Sequence, residues 1–165
     1  MKGQAAIVGL GITEMGRVYG RTSTDFAVEA ISLALQDAGL TKDDLDGLLI
    51  NTGISGQIPT TPGALGLDLQ RYLGLCDLKL LNLMNAYGST AGAMIQFAAM
   101  ACATGMTKAV ACVFADTPLV PNKSAGASYT ISHPVTGLAS RKYAYGITGA
   151  NPGYAMAARR NMELY

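Results

Sequence analysis

The chain has 165 residues, of which 50% are hydrophobic and 14% charged, with twelve basic and eleven acidic side chains. A domain of this length buries roughly 70% of the surface that its unfolded chain exposes, and the composition is not that of a disordered chain. A net charge of +1 lacks the basic surface that nucleic-acid binding requires, so DNA and RNA are excluded as partners. Small apolar residues are unusually abundant for a free-standing domain, whose large relative surface needs polar cover.

The cysteines and the single histidine limit the chemistry. Cys76, Cys102 and Cys112 have no metal-ligand spacing, and we expect buried, reduced thiols. With His133 as the one imidazole, the sequence predicts no metal site. The N-terminus has no secretory pattern, and no apolar segment has the length of a membrane span, so the predicted location is cytoplasmic without membrane association.

Strand and helix patterns alternate in the first half of the chain. An apolar run at residues 5–10 predicts a buried strand. Residues 22–25 supply N-cap side chains for a predicted helix that ends at Gly39. A second strand is predicted at residues 48–50, and a helix from Pro62 that ends near Gly74.

The alternation continues to residue 114. Residues 79–84 predict a third strand, residues 90–104 a helix closed by Gly105, and residues 108–114 a fourth strand. The fourth strand is continuously apolar, which is typical of a strand covered on both faces. The predicted fold class is α/β, with a mostly parallel, buried sheet and helices on both of its faces.

The chain after Asp116 is rich in proline and glycine. We predict a long loop or lid region at about residues 117–152, because long loops in compact domains are usually functional. Four side chains in it are candidates for binding a substrate with anionic groups: Lys123, His133, Arg141 and Tyr145. Solvated loop charge is the alternative interpretation, and for His133 a role in proton transfer is a further one. Residues 154–165 have helical character with no terminating residue, which favours a truncated chain.

The candidate chemistry lies where the third strand leads into the helix at residues 90–104. The turn contains Asn85, Tyr87, Gly88 and Ser89. Backbone N–H groups and the positive end of the helix dipole at such a turn favour an anionic group. The alternative is a purely structural role, with glycine forming the turn and Ser89 or Thr90 capping the helix.

The order of elements resembles the N-terminal half of a thiolase-superfamily protein, in the sterol-carrier or lipid-transfer branch. The resemblance rests on residues 85–105, the strand at 109–116 and, above all, residues 145–165. It covers all of residues 1–165, treated as one N-terminal domain whose C-terminal half is absent. It implies a layered α/β fold, a loop region that covers an acyl-CoA, and a homodimer formed through the N-terminal half.

The sequence departs from this pattern at the nucleophile. The family's reactive cysteine corresponds to Gly88, so acyl-enzyme formation through cysteine is not supported. Some members of the branch cleave a carbon–carbon bond in a side-chain acyl-CoA by retro-aldol chemistry, beside a small subunit with an OB-fold and a zinc ribbon. That chemistry needs a base and an oxyanion site, and the implied catalytic region is the turn with Asn85, Tyr87, Gly88 and Ser89.

Two functions are therefore expected for the full-length protein. The first is an acyl-CoA enzyme of the acyltransferase type or, given Gly88, an aldolase or lyase. Its substrate is a coenzyme A thioester, and no other cofactor is implied. The second is a non-catalytic subunit that binds acyl-CoA or a partner domain. Because the resemblance places further catalytic residues in the C-terminal half, the isolated chain is expected to be inactive.

Overall fold

The computed structural model describes residues 3–53, 65–122, 136–147 and 151–165. The chain forms two compact units, Met1–Thr130 and Ile131–Tyr165. The predicted lid region at residues 117–152 contains parts of both units, and residues 123–135 and 148–150 lie outside the described residues.

In its described residues, the first unit is built on a parallel sheet of three strands. These are β1 (Gly47–Asn51), β2 (Leu80–Leu83) and β3 (Val110–Phe114), in the spatial order β2-β1-β3. Leu48 of the central strand lies opposite Leu81 on one side and Ala111 on the other. All five residues of β1 are buried, as expected for a central strand with both faces covered. The parallel pairing confirms the predicted α/β class.

Helices connect the strands. The capping-box pair Thr22 and Asp25 begins α1 (Ser23–Ala38), and Gly39 ends it with φ 66°. Both ends agree with the sequence prediction. A short α2 (Leu69–Leu73) ends at Gly74 in the left-handed conformation, as predicted. The predicted start of this helix at Pro62 lies outside the described residues.

The third helix follows β2 through one turn of 3-10 helix at Tyr87–Ser89. It is α3 (Thr90–Ala103), and Gly105 just beyond it has φ 73°. Its bounds match the prediction within a residue.

The hydrophobic core lies between the sheet and the first two helices. Its buried members come from α1, α2, the sheet and the adjoining loops: Ala27, Ile31, Leu48, Ile50, Leu65, Leu69, Leu75, Val113 and Ala115. Alternation along β1 directs Leu49, which is fully buried but outside this cluster, to the opposite face. There α3 packs against β1 and β3. The sheet therefore has α1 and α2 on one face and α3 on the other.

The Asp46 side chain links the amino ends of the three strands through hydrogen bonds. Its carboxylate accepts hydrogen bonds from the Lys108 and Ala109 amides at 2.8 and 3.0 Å and from the Lys79 ammonium at 3.1 Å. Desolvation raises the pKa of Asp46, but the hydrogen bonds from Ala109, Lys108 and Lys79 outweigh it, so the net pKa lies below its usual value.

The segment predicted as the first strand has no regular secondary structure. Among the described residues, residues 5–10 form no sheet ladder, and the Leu10 amide donates to Asp37 Oδ2 at 2.9 Å. Gly9 and Gly11 explain this placement, because a Cβ at either position would clash with a carbonyl oxygen of α1. The prediction of a buried strand here is therefore wrong: the glycines let the backbone lie on the helix, and Ile7 and Val8 remain exposed.

The prediction of a mostly parallel, buried sheet requires correction as to burial. Phe114 of β3 is 63% exposed, and α3 buries only three residues, Thr90, Met94 and Ala101. In the described part of the chain β3 is an edge strand, and α3 covers only part of its face. The expectation of buried thiols is therefore wrong for Cys112 on this edge strand. It is wrong also for Cys76, which is exposed, while Cys102 is partly buried.

The described residues of the second unit contain two helices. They are α4 (Leu138–Ala144) and α5 (Asn151–Leu164). The sequence pattern predicts helical character from residue 154 but not α4, whose seven residues lie in the proline- and glycine-rich region. Among the described residues, no helix is long and apolar enough to cross a membrane.

Candidate functional site

The carboxyl ends of the three strands form one edge of the sheet. Asn51 ends β1, Asn85 follows β2 by two residues, and Asp116 follows β3 by two residues. Parallel α/β sheets bind their ligands at this edge, because loops diverge there and helix N-termini point toward it. The candidate catalytic turn at residues 85–89 lies at the same edge, between β2 and α3.

Hydrogen bonds within the turn fix its shape. Asn85 Oδ1 accepts from the Tyr87 amide at 3.0 Å, and Ser89 Oγ donates to the Ala86 carbonyl at 2.7 Å. The buried Thr90 hydroxyl accepts from the Ala86 amide at 2.8 Å and donates to the Tyr87 carbonyl at 2.7 Å. The side chains of Asn85, Ser89 and Thr90 are thus engaged in holding the turn.

Tyr87 projects from this turn. It is one of two residues other than glycine with positive φ in the described part of the chain, at 51°. A bulky side chain in this conformation is uncommon and is often associated with function. The Tyr87 side chain is 86% exposed, so it is free to contact a ligand.

Gly88 leaves open space at the start of α3. A Cβ added at Gly88 would meet nothing within 4 Å, and its φ is not in the left-handed region. Within the described residues, its amide N–H also has no hydrogen-bond partner. Neither close packing nor backbone conformation therefore requires glycine here. The predicted catalytic residues come together as a turn with an open, side-chain-free position and no cysteine.

Asn51 and Asp116 also belong to this edge, although they were not predicted as site residues. Asn51 Oδ1 accepts from the Gly53 amide at 2.7 Å, and Gly53 has φ 65°. A Cβ on Gly53 would clash with the Asp116 carboxylate, which accepts from the Thr117 amide at 2.8 Å. The available signal was a polar residue at the end of each strand or two residues beyond it.

The candidate binding residues are distributed differently. Arg141 lies in the last turn of α4, and Tyr145 follows the helix, its amide donating to the Arg141 carbonyl at 3.2 Å. Both side chains are exposed and belong to the second unit. Lys123 and His133 lie outside the described residues.

The cysteines do not supply a nucleophile to this turn. Desolvation raises the pKa of Cys112 to about 11, with a smaller contribution from the Cys102 thiol, although Cys112 keeps exposed surface. A thiol with this pKa is protonated at neutral pH and reacts slowly. In the described part of the chain, no group of three histidine, cysteine or acidic residues is arranged to hold a metal ion.

Within its described residues, the chain has an α/β fold whose turn between β2 and α3 contains no cysteine. No protein-family model matches it. The chain is 32% identical over its whole length to the steroid side-chain-cleaving aldolase of Thermomonospora curvata, and covers 41% of that protein. It is 33% identical over 99% of its length to the 17-hydroxy-3-oxo-4-pregnene-20-carboxyl-CoA lyase of Mycobacterium tuberculosis, again covering 41%.

A solved structure agrees with these relatives. A chain of the Ltp2-ChsH2(DUF35) aldolase matches 97% of this chain with a TM-score of 0.70 and 29% identity, and 38% of that solved chain is covered. The present chain thus spans about two fifths of the length of the curated relatives it matches.

These comparisons correct the family assignment made from the sequence. The two relatives and the solved structure are named as aldolases and a lyase, not as thiolases, so the assignment to the thiolase superfamily is wrong. The expectations of a thiolase-like layered fold and of acyltransferase activity rested on that assignment and lose their support. Gly88 gives the chemical reason, because acyl transfer through an enzyme thioester needs a thiol at that position.

Proposed function

We propose that this chain is part of an enzyme that cleaves a carbon–carbon bond in an acyl-CoA by retro-aldol chemistry. The preferred substrate is a 3-hydroxyacyl-CoA whose acyl group is the side chain of a steroid. The names of the two relatives support the reaction class and the steroid-type substrate. The open, nucleophile-free turn at Gly88 supports a mechanism without an acyl-enzyme.

The reaction is balanced without an oxidant or a second substrate. A base removes the proton of the C3 hydroxyl, the C2–C3 bond breaks, and its electron pair moves onto the thioester as an enolate. The C3 fragment leaves as a ketone, and the enolate takes up a proton at C2 to give the shortened acyl-CoA. The barrier is governed by the negative charge that develops on the thioester oxygen.

The open position at Gly88 is the observation that carries this proposal. The space that a side chain would occupy is free for the thioester. The Gly88 amide and the positive end of the 14-residue α3 then face the oxygen that becomes the enolate. A single backbone donor of this kind contributes about 100- to 1,000-fold in rate.

Tyr87 is the proposed proton-transfer residue of the turn. Its phenol is the one titratable side chain among residues 85–89, and its exposure leaves it accessible to substrate. Asn85 and Ser89 act by holding the turn, since both side chains already bond to its backbone.

The coenzyme A moiety carries phosphates, and we expect basic residues to bind them. These residues belong to the second unit and to the segment that flanks it in sequence. Arg141 offers a fork of donors suited to phosphate, and the exposed Tyr145 offers a ring and a hydroxyl nearby on the same unit. Lys123 and His133 are retained as proposed contacts from the sequence. The full-length protein is proposed to act in the cytoplasm as a homodimer beside a small subunit with an OB-fold and a zinc ribbon.

Assays of the full-length protein, alone and with that small subunit, test the function. We expect a 3-hydroxyacyl-CoA with a steroid acyl group to give ketone and shortened acyl-CoA in equal amounts, without added CoA. CoA-dependent cleavage of a 3-ketoacyl-CoA would contradict the proposal. Binding of acyl-CoA with no turnover of either compound would favour the alternative of a binding or scaffolding subunit.

A further inference from the structure

Asn51 is a buried amide whose donors are unused within the described residues. The residue is 8% exposed, and its Oδ1 accepts a hydrogen bond from the Gly53 amide at 2.7 Å. That bond fixes the orientation of the carboxamide and leaves both N–H groups of Nδ2 to other partners. In the described part of the chain, Nδ2 donates to no acceptor. Buried donors in native proteins are nearly always satisfied, so an unsatisfied one calls for an acceptor from elsewhere.

The other buried polar side chains of the described residues have partners. Ser23 Oγ lies 3.2 Å from Thr117 Oγ1, and Thr107 Oγ1 lies 3.6 Å from Cys102 Sγ. Thr90 bonds to the backbone of the turn. Asn51 is therefore distinguished among them by its unused donors, and not by burial.

The position of Asn51 relates it to the candidate site. It ends the central strand, and Leu48 and Ile50 belong to the core cluster on the α1 and α2 face. Alternation along the strand places the Asn51 side chain on the opposite face, where α3 packs. The Met84 amide donates to the Ile50 carbonyl at 2.8 Å, so Asn51 lies beside the residues that lead into the turn.

We propose that the Asn51 carboxamide donates a hydrogen bond to the thioester carbonyl oxygen of the bound acyl-CoA. This inference rests on the proposed function and assigns a side-chain donor to its oxyanion site, in addition to the Gly88 amide. A carbonyl oxygen has two lone pairs and accepts two donors. Its negative charge grows as the enolate forms, so both bonds strengthen in the transition state.

Binding of two matched ligands to the full-length protein tests this role. One is an acyl-CoA thioester, and the other is its thioether analogue, which has a methylene group in place of the carbonyl. The variants are Asn51→Asp, whose carboxylate still accepts from the Gly53 amide but has no donor, and Asn51→Ala. The control is Ser23→Ala, which removes a buried hydroxyl at the same edge whose partner is Thr117.

We expect both Asn51 variants to lose about tenfold or more in preference for the thioester over the thioether, and Ser23→Ala to keep the wild-type preference. An unchanged preference in the variants would overturn the assignment. If both variants fail to fold, the infrared carbonyl stretch of a ¹³C-labelled thioester bound to the wild-type protein provides the test. A shift to lower frequency of the size that two donors produce supports the Asn51 contact, and a shift of the size that one donor produces, or an unshifted band, overturns it.

Cleavage assays separate this inference from the proposed function. Loss of ligand preference in protein that never cleaves a 3-hydroxyacyl-CoA would support the Asn51 contact and contradict retro-aldol activity. Active enzyme whose kcat and ligand preference survive both Asn51 substitutions would support the activity and contradict the contact. With both correct, kcat falls about 100-fold in the Asn51 variants, as for removal of one oxyanion donor.

Discussion

Two residues at the carboxyl edge of the sheet, Gly88 and Asn51, each leave something unfilled. Gly88 lacks a side chain where one would fit, whereas Asn51 has donors that the described chain leaves unused. A ligand with an acceptor atom, bound between the end of β1 and the start of α3, would fill the space at Gly88 and pair with the Asn51 donors. At the amino edge, in contrast, Asp46 is fully engaged by the chain itself. Ligand chemistry is accordingly expected at one end of the sheet and structural stabilisation at the other.

Filling the space at Gly88 tests whether substrate occupies it. We expect Gly88→Ala to fold at least as well as the wild type, because a Cβ meets nothing and alanine is favoured over glycine at a helix by about 0.5–1 kcal/mol. Acyl-CoA cleavage should fall more than tenfold, because the methyl group enters the space assigned to the thioester. Gly153→Ala, an equally open position in α5, is the control for thermal melting and steady-state kinetics. Full activity in Gly88→Ala would remove the basis for the proposed site.

Replacing Asp46 tests the amino edge. Asp46→Asn loses the ion pair with Lys79 and weakens the bonds from the Lys108 and Ala109 amides, so we expect the free energy of unfolding to fall by about 2 kcal/mol at pH 7. Urea denaturation measures it. The control is Asp43→Asn. Asp43 is exposed and pairs with Lys42 at 3.6 Å, and that change should be close to neutral.

The pH dependence of this effect has a definite sign. The folded-state pKa of Asp46 is lowered, so its contribution is complete above the unfolded value of about 3.9 and is lost as pH falls through the folded value. The difference between wild type and Asp46→Asn should therefore shrink below about pH 4. A difference that stays constant to pH 2 would exclude the carboxylate charge as its source.

At the level of elements, local signals with a strict geometry were predictable. The capping box of Thr22 and Asp25 and the glycine at residue 39 set the ends of α1 correctly, because each supplies a hydrogen bond or a conformation that few residues can. The alternation of strands and helices likewise predicted the parallel sheet. The turn at residues 85–89 was predicted as a segment for the same reason, since its glycine is a local signal, and its catalytic role stays a prediction.

Features that depend on distant residues were not predictable. Residues 5–10 have a strand pattern, yet their placement on α1 depends on Gly9 and Gly11 meeting Ala30 and Ala34. Asn51 belongs to the candidate site because the sheet order β2-β1-β3 makes its strand central, and strand order is not encoded locally. Helix α4 was missed because its flanking prolines and glycines dominate the pattern of that region.

Removing the N-cap tests the contribution of α1. The Thr22 hydroxyl accepts from the Asp25 amide at 3.1 Å, and the Asp25 carboxylate accepts from the Thr22 amide at 2.8 Å. We expect Thr22→Ala to lower the free energy of unfolding by about 1 kcal/mol in chemical denaturation. Ser32→Ala in the same helix removes an exposed hydroxyl that bonds to the Val28 carbonyl, and should be neutral or slightly stabilising. Equal losses in both variants would rule out a specific capping effect.

At the level of the whole molecule, apolar surface is distributed unevenly. The N-terminal apolar stretch, defined as residues 7–15, exposes Ile7, Val8, Leu10, Ile12 and Met15, each by more than 60%. Helix α3 is apolar on all sides but buries few residues, which is atypical of a solvent-facing helix. Part of the chain's apolar content therefore lies on the surface, where it favours association.

Association through the N-terminal apolar stretch can be tested with one charge. Met15 is 83% exposed, so Met15→Lys should leave thermal melting unchanged while raising the concentration at which the protein self-associates, measured by sedimentation velocity. Gln4→Lys adds the same charge at an exposed polar position and separates charge repulsion from loss of apolar surface. If both variants shift self-association equally, net charge is responsible. If Met15→Lys alone shifts it, the apolar side chain itself is buried in the associated state, and the exposed stretch is a contact surface of the molecule.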